Sequence, residues 1–275
     1  MKGILYIVAT PIGNLEDITL RALRILKTAD IIAAEDTRHS LKLLNHYGIS
    51  KPMISYWKEK EKVRSDQIIE KLKTGQSVAL ITDAGTPGIS DPGAVIIRKA
   101  IEEDVQIVII PGPSAFVAAL SLSGLPTDEF VFIGFLPSKK GQRQKFLKDL
   151  SLEAKTLIFY EAPHRIIATL MDMEEIFEER KAVIVKEITK IHEEVLRGSL
   201  SEILKRLEKS KISGEYVIIL QGKRNGKRII NEDIISEVRS LLKKGFSRKE
   251  AVKKIADEYG ISKKELYDKS LNHTT

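Results

Sequence analysis

The 275-residue sequence contains no cysteine. That absence excludes disulfides, cysteine-ligated zinc, iron–sulfur clusters and any cysteine nucleophile. Nor does any apolar run approach the roughly 20 residues needed to cross a bilayer. The first run, residues 4–9, is too short for a signal-peptide core and closes on Thr10-Pro11, so it reads as a strand. No G-x-G-x-x-G follows it, which removes the common dinucleotide fingerprint. No Walker A sequence occurs, which argues against a P-loop NTPase. Metal-binding motifs are missing too, and no metal is expected. What remains is a chain expected to be soluble and cytoplasmic, of a length that suits two domains and an appendage. Its 43% hydrophobic content is enough for a packed core.

The densest signal lies at residues 82–93, TDAGTPGISDPG, after an apolar run at 77–81 and before a helical pattern at 94–101. Three glycines and two prolines within twelve residues can neither continue a strand nor start a helix before about Asp91. A plain turn needs about four residues. A glycine-rich strand-to-helix loop of this length brings free backbone N–H and C=O groups close to a ligand.

Strand and helix alternate along the chain. Strands are expected at 4–9, 30–35, 78–81 and 106–110, and helices at 20–27, 39–47, 62–73, 94–101 and from Ser114. After Gly124-Leu125-Pro126 the alternation restarts, with strands at 130–135, 156–160, 182–187 and 216–220 and helices at 142–150, 163–177 and 199–209. The fold class is therefore α/β: two α/β domains with mainly parallel sheets, 1–118 and 119–222. In an open parallel sheet, loops at the carboxyl ends of strands line the ligand crevice, which places 82–93 and Pro111-Gly112-Pro113-Ser114-Ala115 at one site.

From Gly222 the character changes. A polar linker, GKRNGK at 222–227, leads into a helical segment 223–275 with 14 Lys+Arg against 8 Asp+Glu, which carries six of the chain's seven net positive charges. Asn231 is a candidate helix cap. Ser247/Glu250 and Ser262/Glu265 fit the capping-box pattern, and Gly245 and Gly260 stop helices. Helix, turn and short helix resemble a helix-turn-helix. A near-neutral body with a basic tail points to a polyanionic partner, with a small helical cap on the body as the alternative.

Five stretches in order, TPIGNLEDITLRAL, AEDTR, TDAGTPGISDPG, PGPSA and EAPHR, resemble the tetrapyrrole methylase superfamily. They are most similar to its ribosomal RNA small subunit methyltransferase I branch, and the resemblance covers about residues 1–222. It implies two α/β domains with S-adenosylmethionine in the cleft between them, and a homodimer. For this branch it implies 2′-O-methylation of a cytidine ribose in 16S rRNA of the small ribosomal subunit. Gly85-Thr86-Pro87 match the backbone loop that holds the cofactor in the tetrapyrrole enzymes. Asp83, Ala84, Ile89 and Ser90 flank it, Ser114 and Ala115 match a cofactor-contacting pair, and Tyr160-Glu161 meet the cofactor from the second domain. Pro11, counted with the cofactor set, and Gly13 lie in a first loop that faces substrate. The sequence departs from the tetrapyrrole enzymes at Ala9-Thr10-Pro11, where they have a Gly-rich loop, and at Asp91, where they carry an arginine. Both departures weigh against a porphyrin-like substrate.

Methyl transfer from a sulfonium is an in-line displacement governed by alignment, and a ribose hydroxyl gains from a nearby base or cation. Glu35, Asp36, Glu161 and Lys186 are candidates for that chemistry, with His164, Glu187, Lys190 and His192 beside them. Asp36 can equally be a helix cap, and Glu187 with Lys190 a surface ion pair. Arg38 and Arg165 are candidate phosphate clamps, joined as RNA contacts by Lys263, Lys264 and Lys269 in the tail. A tetrapyrrole methyltransferase and a non-enzymatic nucleic-acid-binding regulator are the competing readings.

Overall fold

The structure, a computed structural model, describes residues 2–223, 230, 232–259 and 261–272. In the first half, β1 (Ile4–Val8), α1 (Leu20–Thr28), β2 (Ile31–Ala34), α2 (Thr37–His46), β3 (Met53–Ser55), α3 (Glu61–Lys73), β4 (Val78–Ile81), α4 (Ala94–Glu102) and β5 (Gln106–Ile110) alternate. The strands form one parallel sheet in the order β3-β2-β4-β1-β5. Strands β2 and β4 are buried at every position, as a parallel sheet covered on both faces requires. Side chains alternate across it. Leu5, Ile7, Ala33 and Leu80 pack on Ile68, Leu72 and Ile96 of α3 and α4. Val8, Ile32, Ala34 and Ile81 pack on Leu26 and Leu44 of α1 and α2.

The second half contains α5 (Ala115–Ser123), β6 (Phe130–Phe135), α6 (Lys140–Asp149), β7 (Thr156–Glu161), α7 (Ile166–Phe177), β8 (Lys181–Lys186), β9 (Glu194–Ser199), α8 (Leu200–Leu207) and β10 (Tyr216–Leu220). The sheet order is β6-β7-β10-β8-β9. Leu147, Leu170, Met173 and Ile203 of α6, α7 and α8 cover one face. Ala119 and Leu120 of α5 cover the other, against Ile158, Val183 and Val217.

Two features differ from the expectation within this α/β fold. Only β6 and β7 pair in parallel; β7–β10, β10–β8 and β8–β9 are antiparallel. The connection 187–193 is shorter than the dozen or so residues a parallel crossover needs, so it must make a hairpin. The expected division at 118/119 falls inside α5, which packs on the second sheet, so the break in packing comes earlier, at the Pro111–Ser114 turn.

The tail contains α9 (Glu232–Lys243), α10 (Arg248–Tyr259) and α11 (Lys263–Asn272). Ile234, Ile235, Val238, Ala251, Val252, Ile255 and Leu266 form a core that includes no residue of the two sheets. The Ser247/Glu250 capping box forms, with Ser247 N donating to Glu250 Oε2 at 2.9 Å and Glu250 N donating to Ser247 Oγ at 3.3 Å. Most of the expected 222–227 linker, the cap Asn231 and the stop Gly260 lie outside the described residues. Among the described residues no helix is long and apolar enough to cross a membrane.

Candidate functional site

The glycine-rich loop after β4 is tied to the loop after β1 by an isolated antiparallel bridge. Thr10 N donates to Gly85 O at 2.9 Å, Gly85 N to Thr10 O at 3.1 Å, and the Thr10 hydroxyl to Thr82 O at 3.1 Å. Gly85 sits at φ +83°, a conformation that side chains resist. The far end of the loop is held by Glu61, whose carboxylate accepts from Gly93 N at 2.7 Å at the start of α4. From the second sheet, a bulge between Phe132 and Gly134 turns β6 so that Phe135 faces the loop. Gly134 has φ +74°, and a Cβ there would sit 3.0 Å from Ser90 Oγ.

Between the halves lies a cavity of about 370 Å³. Gly85, Thr86, Ile89 and Ser90 form one wall, Ser114 and Ala115 another, and Phe135, Tyr160, Ile188 and Val217 the opposite side. Tyr160 OH accepts from Phe116 N at 3.2 Å, which ties β7 to the first turn of α5. Burial pushes the Tyr160 phenol up to about 12, so it stays neutral. A second cavity of about 490 Å³ adjoins the first, between Pro11, Gly13 and Leu15 of the first loop, His39, Ser40 and Lys42 of α2, Asp83, and Lys190. The Ser40 hydroxyl on its wall is buried without a hydrogen-bond partner. Ile12, Ala84 and Glu215 line both cavities.

This two-sheet body with its cleft is that of a known family, whose sequence profile, described as Tetrapyrrole (Corrin/Porphyrin) Methylases, matches residues 4–204. The chain belongs to the tetrapyrrole methylase family. It is 44% identical over 272 residues to the ribosomal RNA small subunit methyltransferase I of Synechocystis sp., covering 98% of both chains. A protein of the same name from Thermotoga maritima is 46% identical over 221 residues, covering 99% of that protein but 80% of this chain. The fold is shared with the uroporphyrin-III C-methyl transferase from Thermus thermophilus complexed with S-adenosyl homocysteine. That likeness has a TM-score of 0.57 at 19% identity, over 80% of this chain and 97% of the other.

In this tetrapyrrole methylase, Ala84, Gly85, Thr86, Ile89, Ser90, Ser114, Ala115, Tyr160 and Glu161 line the first cavity. Pro11 of the first loop and Asp83 of the loop after β4 line the second cavity instead. Pro87 lines neither.

The acid–base candidates separate. Glu161 reaches the first cavity, but its side chain is 0% exposed and fully engaged. Oε1 accepts from Ala162 N at 2.8 Å and pairs with Arg165 at 2.7 Å, while Oε2 accepts from Thr169 Oγ1 at 2.6 Å. Glu161 is therefore a structural anchor rather than a base, and the cation of Arg165, expected to clamp phosphate, is spent on it. Asp36 caps α2, accepting from Arg38 N at 2.8 Å and from the Arg38 guanidinium at 2.9 Å. The Arg38 side chain holds its carboxyl well below the usual range. The Glu35 carboxyl, raised by burial and then by Asp83, lines neither cavity. Lys186 donates to Lys211 O at 3.4 Å and lines neither cavity. On α11, Lys263 is exposed and paired with Asp257 at 2.8 Å, Lys264 is exposed, and Lys269 is half-buried rather than exposed.

Asp91, Lys190 and Glu215 come to the site from three distant segments. Asp91 lines the first cavity, where burial, then Glu35, Asp83 and Glu215, push its carboxyl up to about 7. An aspartate in the unfolded chain loses its proton near about 4, so between these values the folded protein binds more protons than the unfolded one. The Asp91 contribution to the stability of the ligand-free protein is therefore expected to fall as pH rises from about 4 to about 7, then level off. Asp91→Asn is expected to raise the melting temperature at pH 8 and leave it nearly unchanged at pH 4. An equal shift at both pH values in thermal scans would contradict this.

Proposed function

We propose that the chain is an S-adenosylmethionine-dependent methyltransferase that modifies the 2′-oxygen of a cytidine ribose in 16S rRNA of the small ribosomal subunit. It acts in the cytoplasm as a homodimer. The observation that carries this reading is that four of the five family motifs supply walls of the two adjoining cavities. The relatives' names supply the RNA. When bound, the cofactor supplies an electrophilic methyl group on a positively charged sulfur.

The first cavity fits that cofactor by the chemistry of its lining. Phe135, Ile12, Ile188 and Val217 offer apolar and aromatic surface to an adenine. The backbone around Gly85 and Ser114 offers hydrogen-bonding groups at close range. Asp91 brings a carboxyl to the wall formed by the glycine-rich loop, where a bound cation would favour its ionised form. The second cavity carries the cations Lys42 and Lys190, the His39 imidazole and the unpartnered Ser40 hydroxyl, which suits a nucleotide drawn out of a folded RNA. Dimerisation is supported by exposed apolar side chains on three consecutive elements: Ile109 of edge strand β5, Val117 of α5 and Phe130 of edge strand β6.

The test is transfer of a labelled methyl group to unmodified small subunits, with mapping of the modified nucleotide. Transfer to uroporphyrinogen instead, or to neither, would overturn the reading.

The tail has its own part. Its separate core and its six net positive charges support a module that adds RNA affinity without shaping the cofactor cavity. Ending the chain at Gly222 is expected to weaken binding to small-subunit RNA. It should also flatten the log–log salt dependence by about 0.7–0.9 for each phosphate that the tail neutralises. Cofactor affinity should change little. Equal affinity and equal salt slope with and without the tail would leave it a structural cap.

A further inference from the structure

We propose that Glu215 is the catalytic base of the methyl transfer and that Lys190 positions its carboxylate. The inference rests on the methyltransferase reading above and names the residue that handles the acceptor's proton. If the methyl donor occupies the first cavity and the nucleotide the second, the acceptor oxygen must sit where they meet. Three residues line both cavities, and of Ile12, Ala84 and Glu215 only Glu215 carries an ionisable side chain.

Glu215 is also held as a base should be. Its backbone is fixed twice to Glu187: Glu187 N donates to Glu215 O at 2.9 Å, and Glu215 N donates to Glu187 Oε1 at 2.9 Å. Lys190 Nζ bridges the two carboxylates, 2.8 Å from Glu187 Oε1 and 2.9 Å from Glu215 Oε2. The turn that delivers Lys190 is strained, with Glu187 at φ 51° and the β-branched Thr189 at φ 66°. Yet the Glu215 side chain remains 76% exposed, with oxygens available to a ligand, whereas Glu161 is 0% exposed and fully engaged. Asp91 lines only the first cavity, and Asp83 only the second, where its Oδ1 already accepts from Asp36 N at 3.2 Å.

The step balances. As the ribose oxygen forms its bond to the methyl carbon, its proton passes to a Glu215 oxygen. The carbon–sulfur bond breaks, its electron pair stays on sulfur, and the sulfonium becomes a neutral thioether. Charged groups around Glu215 are the Lys190 cation, the Glu187 carboxylate that Lys190 also pairs, Asp91 across the first cavity, and Lys42 and Asp83 around the second, where the His39 imidazole also lies. Tyr160, kept neutral, adds none.

The experiment uses the full chain and measures single-turnover transfer to unmodified small subunits across pH, with calorimetric affinity for S-adenosylmethionine alongside. Glu215→Gln is expected to slow transfer by about 10²–10⁴-fold, to lose the limb of the profile that rises with pH, and to keep cofactor affinity. Lys190→Met removes the group that holds the carboxylate, so transfer should slow while cofactor affinity is kept, and Lys190→Arg should recover part of the loss. Glu215→Asp retains a carboxylate with shorter reach, and should be slower than wild type while keeping the limb. It serves if the glutamine variant fails to fold. An unchanged rate in Glu215→Gln, a retained rising limb, or cofactor affinity lost in step with rate would overturn the assignment. If the wild-type protein transfers nothing to small subunits, the methyltransferase reading fails with it. If the wild type transfers and Glu215→Gln matches it, only this inference fails.

Discussion

Replacing Gly85 with valine is expected to abolish measurable S-adenosylmethionine binding in a protein that still folds. A Cβ at this position would meet Ile12 Cγ2 at 3.6 Å and Pro113 O at 3.9 Å, which are ordinary contacts. The body therefore has room for the first carbon. Two effects then act on the binding state. The φ of +83° is hostile to a β-branched residue, a strain of about 1–3 kcal/mol. The γ-methyls would add bulk at the wall of the cavity that Gly85 lines, and overpacking there is expected to cost about 1–3 kcal/mol more. Together these correspond to at least about 30-fold in dissociation constant, and to far more if the loop leaves its bridge with Thr10. Gly85→Ala carries the strain without the γ-methyls, so it should bind with intermediate affinity. Calorimetric titration of the folded variants decides the matter, and a valine variant with wild-type affinity would show that the loop does not hold the cofactor.

Glu161→Ala is expected to cost stability, in contrast with the loss of turnover alone that a catalytic base would show. The carboxylate is buried and satisfies Ala162 N, Thr169 Oγ1 and the Arg165 guanidinium at once. Deleting it strands a largely buried cation and two polar groups. Breaking a buried pair from one side typically costs about 3–5 kcal/mol, far above the value of an exposed pair. Arg165 is 17% exposed, so partial hydration places the expected loss at the lower end of that range. Equilibrium denaturation should show it as a lower midpoint with an unchanged slope. The contrasting result is full stability with slow transfer, and it would return Glu161 to the chemistry.

The sequence made the strands of the first sheet and the turns after them visible for a local reason. A buried parallel strand reads as a short apolar run, as at Val78–Ile81, and Gly and Pro then forbid its continuation. The loop 82–93 was legible in the same way, because its composition admits no regular structure. Strand β9, EVLRGS, was not legible. It is a half-exposed edge strand of mixed polarity, with none of the apolar run that marked the others. The three-residue β3 is too short to leave a pattern.

By itself the sequence determined the α/β class, the glycine-rich loop and the Pro111–Ala115 turn that follow strands, and the basic helical tail. Each of these is written in neighbouring residues whose conformational limits act over a few positions. Only the tertiary structure decided the antiparallel run of the second sheet, the packing of α5 on it and the two adjoining cavities. It also decided what each charged group does. Glu161 and Asp36 are consumed by their own neighbours, while Glu215 stands open between cavities beside a lysine 25 residues away in the chain. A carboxylate's role depends on which groups and how much water surround it. Those surroundings come from segments distant in sequence, which only folding brings together.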